Sequence, residues 1–291
     1  TMSYKNATNS TGYLNNGLIW WTLTPYNTSH VRNVNRSGNG SDSSPAISYG
    51  SRPSINLKSA VKIIDGDGTI DNPYRLQDDN DIPTGALLST RYSGEYISFG
   101  TGENNLYRIV SHENGTGTKI TSAIPLKDSG NYKKMAFGSN VTFSKDNTIG
   151  TFLNGDYLTN GTYLTSDQVN MIEDKTTWYL GTVGIGANYK LAKYQDTTGS
   201  NLTLSTATAK VGLLRLGELM AGQFDKDGNN TIYWTLTLYS PSYVRNVTTY
   251  GNGDLNSPTN SSGSRPSMNL KSTVKIVSGT GTKSDPFVIS N

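Results

Sequence analysis

The sequence contains no cysteine. Disulfides, thiolate-held metals and a cysteine nucleophile are therefore excluded. Histidine is almost as scarce: His30 and His112 lie in unrelated segments, and a serine–histidine hydrolase finds no support in them. Charge is sparse too. Charged residues make up 16% of the chain and the net charge is +3, without a basic cluster, so lysines scattered on solvated strands replace the basic stripe a nucleic-acid binder needs. No apolar run reaches the roughly 18 residues of a membrane-spanning helix, and no secretory leader pattern is present. Acidic residues such as Glu95, Glu103, Asp156, Asp167, Glu173 and Asp174 fall on turns and helix starts, where capping and solvation account for them. No glycosidase-type carboxylate pair is motivated, and the chain is read as having no enzymatic activity.

What is present is glycine, serine, threonine, asparagine and 18 tyrosines in a chain of 291 residues. That is the composition of a turn-rich β protein with uncharged polar faces. One stretch occurs twice. WWTLTPYNTSHVRNV…GSRPSINLKSAVKI, beginning at Trp20, returns as YWTLTLYSPSYVRNV…GSRPSMNLKSTVKI, beginning at Tyr233, always 213 residues on. Of the 60 positions from 18–77 against 231–290, 33 are identical with no gap, far beyond chance for unrelated segments. Within each copy the period is two: Ile55, Leu57, Val61 and Ile63 share one face, with Asn56, Lys58 and Lys62 on the other. Residues 1–17 have the length of 214–230 but not their sequence.

Residues 84–125 read as strands at Tyr96–Phe99, Tyr107–Val110 and Thr118–Ile124, with a hairpin signal at Asn114–Gly115. Residues 148–158 have helical spacing. Thr165 or Ser166 caps a second helix over Asp167–Asp174, and residues 210–222 give a third. Strands follow the second helix around Trp178–Leu180 and Asn188–Tyr194. The expected fold is α+β, predominantly antiparallel β with about three short helices. Residues 81–291 form a complete unit, and residues 1–80 repeat the C-terminal third of a preceding one. A tail with a bare apolar face must pack on the complete unit, on a missing upstream segment or on another chain, and the favoured expectation is a protein with further repeats or a polymer in which the tail completes a neighbouring subunit.

The strand pair YISFG…NNLYRIVS from Tyr96, the segment NTIGTFLNGDYL…TYLTSDQVNMI from Asn147, the helix KVGLLRLGEL from Lys210 and the closing Gly263–Leu270 strand follow one another in a particular order. In that order the chain resembles an uncharacterised repeat domain family of secreted and surface proteins of Firmicutes and related bacteria. The resemblance implies a lectin-like fold, similar to C-type lectins and formylglycine-generating enzymes, with a GxGTxxxPY-type surface-repeat tail. It departs where the family has Trp-Leu-Arg-Ser and this chain has Trp-Thr-Leu-Thr at Trp21–Thr24 and Trp234–Thr237. Formylglycine-generating chemistry needs cysteines and is excluded here.

Several residues are candidates for binding. Trp20, Trp21, Tyr233 and Trp234 pair aromatic rings on alternating faces, so that Trp20 or Tyr233 is expected outside, free to stack on a sugar or a neighbouring subunit. Arg32, Arg52, Arg245 and Arg265 recur in both copies and are expected to bond loop carbonyls or stack on rings. Asp225, Asp227 and Asn229 alternate as oxygen ligands do in calcium loops, without the closing glutamate; otherwise no cofactor is expected. Asn-x-Ser/Thr occurs about a dozen times, including Asn6, Asn27, Asn114, Asn160 and Asn246, which are glycosylation candidates outside the cell. The functional expectation is an extracellular structural subunit of a bacterial surface filament, pilus or cell-wall layer, self-associating through the partial repeat and sheet edges. The alternative is a carbohydrate-binding adhesin module.

Overall fold

A computed structural model describes residues 18–59, 61–65, 74–78, 84–112, 117–182, 205–221 and 230–291. In chain order the strands are β1 (Trp20–Pro25), β2 (Val31–Val34), β3 (Gly40–Ser43), β4 (Val61–Asp65), β5 (Arg75–Asp78), β6 (Tyr96–Ser98) and β7 (Leu106–His112). There follow β8 (Thr118–Ser122), β9 (Lys127–Asp128), β10 (Asn131–Tyr132), β11 (Lys134–Ala136), β12 (Thr176–Leu180), β13 (Ser205–Ala209) and β14 (Val211–Gly212). The last are β15 (Tyr233–Ser240), β16 (Tyr243–Val247), β17 (Gly253–Asn256), β18 (Ser261–Gly263), β19 (Ser267–Leu270), β20 (Lys275–Ser278) and β21 (Phe287–Ser290). The short helices are α1 (Thr148–Asn154), α2 (Asp156–Thr159), α3 (Ser166–Met171) and α4 (Leu216–Ala221). The fold is β-rich α+β, with antiparallel pairing predominant.

Two sheets enclose the core. One has seven strands in the order β14-β19-β8-β7-β6-β21-β20, the other five in the order β11-β18-β15-β16-β17. Tyr107 and Ile109 of β7, Ile120 of β8, and Trp234 and Leu236 of β15 meet between them. The register of β7 on β8 shifts between Ile109 and Ser111. Such a bulge re-aims side chains, and Val110 faces a second, smaller cluster with Leu214, Leu216, Leu219, Tyr233 and Val247. The helices close the main core. Asn147 caps α1 by accepting the Gly150 N–H at 2.8 Å, and Ile149 and Leu153 turn inward. Thr165, rather than Ser166, caps α3: its hydroxyl accepts the Gln168 N–H while the Gln168 side chain accepts the Thr165 N–H, a reciprocal pair that satisfies two free donors. The helix ends at Met171, short of the expected Asp174.

The third helix begins only at Leu216, because Val211–Gly212 ahead of it joins the large sheet through Met268 and Ser267. Gly212 is needed there, since an added Cβ would lie 2.6 Å from the Trp178 indole. β12 pairs with Ser205–Ala209, a strand the periodicity does not suggest. Asn188–Tyr194 and Asn114–Gly115 lie outside the described residues.

β1–β3 and β15–β17 are built alike. Trp20 pairs with Val34 and Trp21 with Asn33, as Tyr233 pairs with Val247 and Trp234 with Asn246. β2 pairs with β3 from Val31–Ser43 to Val34–Gly40, and β16 pairs with β17 from Val244–Asn256 to Val247–Gly253. The turn between each second and third strand needs a left-handed glycine, Gly38 at φ 76° and Gly251 at φ 77°. A parallel bridge joins Trp20 to Gly50, as another joins Tyr233 to Gly263.

Candidate functional site

The candidate residues fall on these two constructions, and several of their internal contacts recur in both, although Asp42, in an ion pair with Arg32 at 3.8 Å, is replaced by Leu255 opposite Arg245. The Thr22 hydroxyl donates to the Arg32 carbonyl at 2.9 Å and that of Thr235 to the Arg245 carbonyl at 2.8 Å. Arg32 lies over Tyr26 at 4.2 Å and Arg245 over Tyr239 at 4.6 Å. Arg52 lies over Trp20 at 5.4 Å and Arg265 over Tyr233 at 5.3 Å. Each pair is a cation–π contact.

What differs is the cover. In residues 231–290 the inner face is enclosed at Trp234, Leu236, Val244, Met268, Leu270, Val274, Ile276 and Phe287. The Trp234 indole N–H donates to the Met135 carbonyl at 3.0 Å, and its ring meets the Phe137 ring edge-on at 5.6 Å. Arg265 is buried, and its Nε donates to the Ser122 carbonyl at 2.9 Å. β19 lies between β14 and β8, so Met268 and Leu270 are both 0% exposed. The equivalent residues upstream, Ile55 and Leu57, are 79% and 52% exposed, in a stretch, 51–58, that forms no strand. Leu23 is fully exposed where Leu236 is buried; Ile63 and Tyr74 are exposed where Ile276 and Phe287 are buried. Trp21 packs on Tyr49 at 4.9 Å, and the half-buried Trp20 leaves its indole N–H without an acceptor. Among the described residues of 18–74, large apolar side chains thus stand exposed at positions that are enclosed in the second copy, the kind of exposure that marks an interaction site.

Two expectations need correction. Tyr233 is not outside: strict alternation would expose it, but α4 and Val110 cover the second face of β15, and both Tyr233 and Trp234 are buried. Asn246 is 1% exposed on β16, where no glycan fits. Asn27 and Asn160 are exposed and tie their own turns, accepting the N–H of Ser29 and Thr162. Peptide mapping of protein from a glycosylating host is expected to find Asn27 and Asn160 open to glycan addition and Asn246 bare. Asn6, Asn114 and the calcium candidates Asp225, Asp227 and Asn229 lie outside the described residues.

The remaining polar chemistry is structural. His112 bonds the Thr118 hydroxyl and the Arg91 carbonyl, and burial pushes its pKa down. Glu95 accepts from Arg91 and from the Tyr92 N–H. A cleft of about 260 Å³ is lined by Tyr96, Glu103, Leu106 and Lys283 among others, none of them a candidate from the sequence. A feature the sequence reading missed is a buried charge cluster. The Lys119 ammonium lies 2.9 Å from Glu218, and Arg215 approaches the same carboxylate through its backbone N–H at 2.9 Å and its guanidinium at 3.3 Å. A lone glutamate inside LLRLGELMA is the signal that could have found it. Among the described residues no helix is long and apolar enough to cross a membrane. No protein-family model, curated protein or solved structure matches this chain.

Proposed function

We propose that the chain is an extracellular structural subunit of a bacterial surface filament, pilus or cell-wall layer, non-enzymatic, in which residues 81–291 are one complete repeat unit and residues 1–80 the closing third of another. The observation that carries this reading is the open face of residues 18–74. Leu23, Ile55, Leu57, Ile63 and Tyr74 are exposed at positions whose equivalents are buried 213 residues later. Burying those side chains against a neighbour releases apolar surface from water at about 25 cal/mol per Å², and the edges of β3 and β17, unpaired among the described residues, add strands that can pair across subunits. The carbohydrate-binding alternative is less favoured, because the Tyr233 ring that would stack on a sugar is enclosed.

Negative-stain imaging tests this. Ordered fibres are expected at micromolar concentration, and Leu23→Asp with Ile63→Asp is expected to abolish them without lowering the thermal midpoint, since both residues are exposed. Dispersed wild-type monomers that bind a glycan array would overturn the structural role in favour of adhesion.

A further inference from the structure

We infer that residues 20–77 are a second cover for the core of residues 84–221 of their own chain, shaped for the seat that residues 231–290 hold. The likeness between the copies follows burial. Of the 23 positions buried in 231–290, 18 carry the same residue upstream; of the other 37, only 15 do. Residues free to face solvent have diverged, as His30 from Tyr243 and Asp42 from Leu255 show, whereas Trp21, Leu23, Arg52, Pro53, Leu57 and Ile63 keep what the seat requires. An exposed Leu23 or Leu57 has no solvent-side reason to match a core residue.

The scaffold beneath Trp21, Leu23 and Ile63 is also the same. Identical strand registers, the same glycine turn and the same arginine–ring contacts present the side chains at the spacing the seat accepts. In the seat, Trp21 would donate to the Met135 carbonyl and Arg52 to the Ser122 carbonyl, as Trp234 and Arg265 do. The chain can also close. Lys275 pairs with Leu87 on one side and Ser290 on the other, so Ser290 and Leu87 are two strand spacings apart, about 10 Å. Residue 77 takes the place of Ser290 and is joined to Leu87 through the nine residues 78–86, which reach about 30 Å when extended. The first copy can therefore enter the seat without breaking its own connection.

Three differences favour the copy now seated. Tyr49 would have to fit where the buried Ser262 sits, Trp20 where Tyr233 sits, and Tyr74 would carry a hydroxyl into the site of Phe287, which is wholly enclosed. Whichever copy is seated, the face of the other is open. The inference therefore stands apart from the assembly reading, and its test reads the core rather than the fibre.

The test uses the full chain and hydrogen exchange at β7 and β8. Ile55→Asp/Leu57→Asp is expected to leave their protection unchanged, because both residues are exposed. Met268→Asp/Leu270→Asp evicts β19, and β7 and β8 are expected to stay protected in a monomer while protection appears at residues 54–57 and leaves 267–270. Combining all four substitutions is expected to lower protection of β7 and β8 by more than about a hundredfold, toward global unfolding. Loss of protection in Met268→Asp/Leu270→Asp alone would overturn the inference, as would a quadruple variant that stays protected. Protection of the Met268→Asp/Leu270→Asp protein only as a dimer would put the cover on a second copy and overturn the own-chain route.

Discussion

Leu270→Ala is expected to destabilise the protein by about 2–5 kcal/mol, and Leu57→Ala, the same substitution in the same local sequence, by no more than about 0.5 kcal/mol. The flanking residues are Asn-Leu-Lys-Ser in both places, so intrinsic strand preference cancels. What remains is the environment. Leu270 pairs with Thr118 on β8 and is wholly enclosed in the main core, and its truncation removes three carbons from a packed site that can relax only in part. Leu57 is half exposed in a stretch outside any strand, so its truncation removes little. Urea unfolding followed by tryptophan fluorescence measures the contrast. Equal losses at the two sites would mean that residues 54–57 are as well covered as 267–270. The seat also sets a ceiling: once the loss at Leu270 exceeds the gap between the two seated forms, the first copy enters and further damage to 231–290 costs nothing more.

The repeat makes much of this legible from sequence. Period two gives the core face at Met268–Ile276, while the same pattern at Ile55 and Leu57 lies in a stretch without a strand, and the gapless offset of 213 anticipates ladders that coincide residue for residue. The strands of β6, β7, β8 and β12 and the cap of α3 also follow from local pattern. What local pattern cannot carry is the second face of a strand. Tyr233 looks exposed because alternation describes one layer, and only α4, packed from the far side, makes β15 two-sided. β8 is buried along its whole length for the same reason, which is why its lysine is enclosed. β13 has the sequence Ser-Thr-Ala-Thr-Ala, too poor in large apolar residues to announce a strand; its ladder with β12 supplies the order. Asn246 carries a glycosylation signal in sequence, yet its place opposite Trp234 in the ladder removes it from solvent.

Glu218→Gln is expected to cost about 3–5 kcal/mol at pH 7, because it leaves Lys119 enclosed and facing a neutral amide. Burial alone would raise the Glu218 pKa, but Lys119 and Arg215, together with the Arg215 backbone N–H, outweigh it and hold the carboxyl at about 2 instead of 4.5. A carboxyl depressed in the folded protein binds its proton more readily when unfolded. Its contribution is therefore complete above pH 4.5 and is lost as pH falls toward 2, a change of about 3 kcal/mol. Glu218→Gln has no such carboxyl to titrate. Its deficit relative to wild type should shrink by that amount between pH 5 and pH 2, as measured by urea midpoints along the series. A constant deficit across the range would show that Glu218 contributes shape and hydrogen bonds but no ionised carboxylate. Glu218→Leu combined with Lys119→Met is expected to recover only part of the loss at pH 7, since Lys119 is no longer enclosed without a counter-charge but Arg215 still loses the carboxylate it faces at 3.3 Å. That recovery would separate the charge pair from the packing of α4 on β15, which the double variant keeps.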